Sequence, residues 1–142
     1  MKKIFFALAA LSFSSIGDAS TQDSIKGLWI LEQDHTIIEM KINNDLVEGT
    51  IYRRPGNRVD EIDKYNPAPE LRTQNIIGLK VLKNLRNIRK DHWKGGDVYD
   101  PDSGSTYSAQ ARLKDPDTLV IRGYIGIPLF GRTAILKRYH QP

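Results

Sequence analysis

Trp93-Lys94-Gly95-Gly96-Asp97-Val98-Tyr99-Asp100-Pro101-Asp102-Ser103-Gly104-Ser105-Thr106-Tyr107 reads as a β-hairpin, and the segments around it follow the same plan. Val98 and Tyr99 suit a half-buried strand, Asp100-Pro101 starts a turn, Gly104 supplies a positive φ, and Thr106-Tyr107 opens the return strand. That return has the cleanest alternation in the sequence. Tyr107, Ala109, Ala111 and Leu113 share one face, and Thr106, Ser108, Gln110 and Arg112 share the other.

Working outward, Asp115-Pro116-Asp117 turns the chain, and Leu119, Ile121, Gly123 and Ile125 form the next inward face. Ile127-Pro128 breaks the run before a last strand from Phe130 to Tyr139. On the other side, Gly27 to Leu31 starts a strand and Asp34-His35 turns it. Ile38, Met40 and Ile42 then alternate with Glu39 and Lys41, and after Asn43-Asn44-Asp45 the chain returns from Leu46 to Tyr52. Ile76 to Ile88 carries two periods at once: Ile77, Leu79 and Val81 alternate, while Leu79, Leu82, Leu85 and Ile88 recur every third residue. The expectation is a strand from Ile76 to Leu82, then an irregular or helical connection to Asp91. The total is about eight antiparallel strands with short turns, the pattern of an up-and-down barrel or a sandwich.

Arg53 to Asn75 has no period. Three cations (Arg53, Arg54, Arg58), an acidic run (Asp60, Glu61, Asp63) and Asn66-Pro67-Ala68-Pro69 make a long loop, which is uncommon inside a compact domain. It reads either as a flap pinned by its own ion pairs or as a lid on a barrel mouth.

The N-terminus has the three-part plan of a secretory signal peptide: Lys2-Lys3, an apolar run from Ile4 to Leu11, and Gly17-Asp18-Ala19 before a cut. A cut after Ala19 leaves one domain, Ser20 to Pro142, of 142 − 19 = 123 residues. The loss of two cations and one anion lowers the formal net charge from +4 to +3. The apolar run is too short to span a bilayer, which needs roughly 20 apolar residues. The chain has no cysteine, so disulfides, thiolate chemistry and an acylated N-terminal cysteine are excluded. A periplasmic or secreted monomer, stabilised by one apolar core, is the expectation.

The candidate chemistry is sparse. Asp100-x-Asp102-x-Gly104 fails as an EF-hand calcium loop, because the fifth and twelfth positions are Gly104 and Ala111. His35, His92 and His140 have no zinc spacing. No phosphate loop, nucleophile elbow or dinucleotide fingerprint occurs, and no basic stripe interleaved with aromatics suggests nucleic acid. No metal or cofactor is expected. Three readings remain. The first is a barrel binding a small apolar or amphipathic molecule, lined by Trp29, Ile38, Met40, Ile51, Tyr107 and Ile121, with Asp63, Asn66, Arg72, Tyr99 and Asp100 as a polar rim. The second is an enzyme using that rim, in which substitution of Asp63 and Asp100 would abolish activity without unfolding. The third is an envelope protein contacting anionic lipid or glycan through Arg53-Arg54 and Lys80 to Lys90.

Gly27-x-Trp29, with Arg138 on the last strand, resembles the closure of lipocalins and related calycin barrels, where an arginine lies across the tryptophan; Arg132 is the rival partner. The whole mature chain is similar to the small exported bacterial proteins grouped as domain of unknown function 2147. The matching stretches are Gly27-x-Trp29, Glu48-Gly49-Thr50-Ile51, Asp63 to Asn66-Pro67 to Leu71-Arg72, Ile77-Gly78-Leu79, the Trp93 to Tyr107 hairpin, Arg122-Gly123-Tyr124 and Leu129-Phe130-Gly131-Arg132. This chain has Thr73-Gln74 where that family tends to place a second arginine, and Leu136 where it tends to place an aromatic. The resemblance implies a lipocalin-like barrel and export, and implies no activity.

Overall fold

The computed structural model describes residues 22–142; the expected signal peptide and its cut after Ala19 lie outside them. Eight strands close into an antiparallel barrel in sequence order: β1 (Gly27–Leu31), β2 (Ile37–Asn43), β3 (Leu46–Arg53), β4 (Lys80–Arg89), β5 (His92–Asp100), β6 (Ser105–Asp115), β7 (Thr118–Tyr124) and β8 (Gly131–Arg138). The cylinder is completed by β1 against β8, with Trp29 opposite Arg138 and Leu31 opposite Leu136. Closure leaves no sheet edge to template aggregation.

One end of the cylinder is packed solid. Trp29, Met40, Val47, Leu82, Leu85, Trp93, Ala109, Ala111, Leu119 and Leu136 form a contiguous buried cluster, to which every strand contributes inward-facing positions. The base is sealed from below. Trp29 Nε1 donates to the Ile25 carbonyl at 2.9 Å, and the Arg138 guanidinium lies over the Trp29 ring, 4.2 Å from its centroid. The same guanidinium donates to the carbonyls of Ser24 (2.7 Å), Lys26 (2.9 Å) and Pro116 (3.0 Å). Gly27, at φ 116°, leaves room for it. Arg132, the rival, is exposed on the opposite end of β8.

The structure corrects the reading of residues 76–91. Ile76 to Leu79 belong to the long loop, and the extended strand is β4, which runs through the residues expected to be irregular or helical. The helix-like spacing has a different cause. Asn84 takes a positive φ of 62° and Gly95 one of 76°, and the β3–β4 and β5–β6 registers shift at these levels. Each bulge inserts one residue, so Leu82 and Leu85 both face inward, as do Trp93 and Gly96. The space opposite Gly96 is filled by Leu85, where any Cβ would lie 2.7 Å from its side chain.

Candidate functional site

The other end of the cylinder is open. Ile38, Ile51, Val81, Val98, Ile121, Ala134 and Leu136 line a cavity of about 320 Å³ above the packed base. Of the residues expected inside the barrel, Ile38, Ile51 and Ile121 line this cavity, whereas Trp29 and Met40 are buried in the packed cluster. Tyr107 is half-buried and instead borders a groove beside the β7–β8 loop.

Four connections surround the mouth, and Arg54 ties three of them together. Its side chain is only 5% exposed. It donates to Glu61 of its own loop (3.3 Å to each oxygen), to Asp102 of the β5–β6 turn (2.9 Å) and to Thr36 Oγ1 of the β1–β2 turn (3.4 Å). Asp34 Oδ2 lies 3.6 Å away. Burial alone would lower the pKa of the guanidinium, but the hydrogen bonds to Glu61 and Asp102 outweigh it and raise the pKa. The flap reading of this loop, pinned by its own ion pairs, fits Arg54 and Arg58 on Glu61; of the two arginines suggested for anionic contacts, Arg54 is withdrawn into a buried network and Arg53 stacks on Tyr139. With Arg58 3.7 Å from Glu61, two cations face three carboxylates, so this cluster carries a net charge of one negative unit.

The long loop folds down over its flank of the barrel, through short 3-10 turns at Pro55–Asn57 and Pro69–Leu71 and a bridge between Ile62 and Asn75. Its post is Asp63, a fully buried carboxylate with no cationic partner among the described residues. Oδ1 accepts the Tyr99 hydroxyl at 2.6 Å, and Oδ2 accepts Asn66 Nδ2 (2.8 Å) and Gln74 Nε2 (3.1 Å). Burial and the bond to Asp63 push the Tyr99 hydroxyl well above its ordinary value, so it is held as a proton donor. Arg72 Nε donates to the Asn66 carbonyl at 2.8 Å.

The sequence-derived rim therefore divides. Asp63, Asn66, Tyr99 and Arg72 come together beneath the loop, whereas Asp100 shapes its own turn, accepting from Asp102 N (3.0 Å) and Ser103 Oγ (2.8 Å); of the five, Tyr99 and Asp100 line the cavity mouth. Sequence reading missed Arg54, Asp34, Glu61, Asp102 and Thr36 as a unit; only the double arginine after a strand hinted at it. Among the described residues no cluster of His, Asp or Glu has the makings of a metal site, and no helix is long and apolar enough to cross a membrane.

Gly104 joins the hairpin to the loop. It sits at φ 75°, and a Cβ there would collide with the Tyr65 carbonyl oxygen. Gly104→Ala is expected to cost about 1–3 kcal/mol, since both the backbone conformation and the close approach oppose a side chain. Urea unfolding measures this, and faster proteolysis within residues 54–79 would locate the damage in the loop.

None of the curated proteins compared matches this chain. A solved structure does: the protein HP1028 of the human pathogen Helicobacter pylori, described as belonging to the lipocalin family, superposes with a TM-score of 0.76 at 22% identity, over 82% of this chain and 83% of that one. At that identity the likeness speaks for the fold, an eight-stranded lipocalin-like barrel. The model of the bacterial family described as uncharacterized and conserved in bacteria, DUF2147, matches residues 27–138, and this chain belongs to that family.

Proposed function

We propose that the chain is an exported barrel that holds one small apolar molecule, neutral or carrying a cationic group, in the cavity beneath Arg54. The observation behind this reading is the pairing of an apolar cavity of about 320 Å³ with a polar lip. That volume is at the small end for ligand sites, which span roughly 300–1,000 Å³, so the occupant is a short molecule rather than a long-chain lipid. The lip argues about charge. Arg54 already makes four hydrogen bonds, to Glu61, Asp102 and Thr36, and Nη1 lies 3.6 Å from the Asp34 carboxylate. A ligand carboxylate would meet a net negative rim and a guanidinium already engaged by the protein's own carboxylates, whereas an ammonium or hydroxyl group would find acceptors.

Matched eight-carbon probes test this. Octylammonium and octanol should bind in calorimetric titration, with octanoate about tenfold weaker or more, each factor of ten corresponding to about 1.4 kcal/mol. Ala134→Phe, which projects a ring into the cavity, should abolish binding of all three while the barrel stays folded. Binding that favours octanoate would reverse the charge argument, and binding that survives Ala134→Phe would remove the cavity from consideration.

A further inference from the structure

The β7–β8 connection contradicts the usual economy of a soluble surface. From Gly123 to Gly131 it contains no charged residue, and its apolar side chains face water: Ile125 is 71% exposed, Ile127 52%, Leu129 75% and Phe130 72%. Apolar residues scattered singly need no explanation, but four on one six-residue tip do. The tip is also stiff. Arg122 reaches across its base, donating from Nε to the Pro128 carbonyl (2.9 Å), from Nη2 to the Leu129 carbonyl (3.3 Å) and from Nη1 to Thr133 Oγ1 (2.9 Å). Backbone bonds from Ile127 to Ile125 and from Phe130 to Ile127 complete the loop. The side chains are thus presented outward at little further entropic cost.

Two guanidiniums stand at the foot of this tip, Arg122 and the exposed Arg132, and neither has a carboxylate partner among the described residues. We infer that the Ile125–Phe130 tip inserts into the surface of a phospholipid membrane, with the exposed Arg132 meeting lipid phosphates and Arg122, engaged in bracing the tip, adding its positive charge behind it. Apolar side chains ahead of unpaired cations are the arrangement of an interfacial anchor, with aliphatic and aromatic groups at the acyl boundary and charges at headgroup depth. A second copy of the chain fits less well, because the four side chains expose less than the roughly 800 Å² per partner that a stable dimer buries. The tip borders the open end of the barrel, so docking brings the mouth to the bilayer. The acidic lip makes the approach tilted, with the tip leading. This inference goes beyond the proposed ligand and does not depend on it.

Flotation of the protein, purified after export, with vesicles of phosphatidylethanolamine and phosphatidylglycerol tests it, the N-terminus being established by mass so that all chains compared begin at the same residue. Wild-type protein should float. The double variant Leu129→Ser, Phe130→Ser, whose side chains lie outside the core, should bind about tenfold more weakly or worse, the loss expected for two large apolar groups no longer buried. Arg132→Gln should weaken binding by about fivefold. Lys83→Gln with Arg86→Gln, on the basic face of β4, should leave it unchanged. Wild-type protein that stays at the bottom of the gradient, flotation indifferent to the tip substitutions, or a tip-dependent dimer in sedimentation velocity with no flotation would each overturn the inference. The cavity reading would survive all three, since octyl probes and Ala134→Phe report on it separately.

Discussion

Asp63→Ala should lower the free energy of unfolding by about 3–5 kcal/mol, a large share of what a domain of this size possesses. The carboxylate is wholly buried and is stabilised by three donors, from Tyr99, Asn66 and Gln74, rather than by a cation. Truncation leaves a hydroxyl and two amides without acceptors beneath the loop, and each such loss costs about 1–3 kcal/mol. Asp63→Asn should fall between alanine and wild type: it can still accept from Tyr99, but its own NH₂ would face two other donors. Tyr99→Phe should cost least. Urea denaturation gives the order, and hydrogen exchange should show the amides of Asp63, Asn66, Gln74 and Ile76, all bonded within the loop, opening before the barrel does.

The same pair sets an alkaline limit. Folded Tyr99 holds its proton more tightly than the unfolded chain does, because burial and Asp63 oppose the phenolate. Its contribution is complete below the unfolded value of about 10 and is lost as pH rises from there toward the folded value. Stability should therefore fall above pH ~10, and Tyr99→Phe should flatten that fall. An equally steep decline in the variant would show that the tyrosine is not responsible.

How far the sequence could be read depends on where the period of two survives. The Trp93 to Tyr107 hairpin, the first meander and β6 to β8 keep it, and each was legible. It fails in β4, because the bulge at Asn84 puts Leu82 and Leu85 on one face and so imitates a helix. It fails again at the end of β3. The sequence ends that strand at Tyr52 and leaves both arginines in the aperiodic loop, whereas β3 runs to Arg53, its register slips opposite Ile37 and Ile38, and Arg54 turns in. A one-residue shift decided which arginine is buried, and with it the charge of the lip. The partners of Arg54 come from three separate connections, which no local pattern links. At the tip, Ile125 continues the apolar alternation of β7 and reads as inward-facing, yet it is exposed, because composition cannot tell an apolar residue that faces a core from one that faces water. The sequence groups Asp63, Asn66, Arg72, Tyr99 and Asp100 as one rim, but no local pattern tells that the Asp63 carboxylate is saturated by neutral donors.

Trp29→Ala should be the most damaging single change at the closed end, costing about 3–5 kcal/mol. The indole is fully buried, fills the floor of the barrel, bonds the Ile25 carbonyl and supports the guanidinium of Arg138. Arg138→Ala should cost about 2 kcal/mol, since it releases three carbonyls and a cation–π contact. Arg138→Lys should recover little of this, because a single ammonium cannot donate to Ser24, Lys26 and Pro116 in the planar fork that guanidinium provides. In a double-mutant cycle the Trp29–Arg138 pair should show a coupling of about 1 kcal/mol. Octyl-probe affinity, measured below the melting temperature of Arg138→Lys, should stay at the wild-type value, because the cavity lies at the other end of the same strands. If affinity fell with stability, the packed base and the open mouth would be one cooperative unit, and the division of this barrel into a structural floor and a binding lip would have to be abandoned.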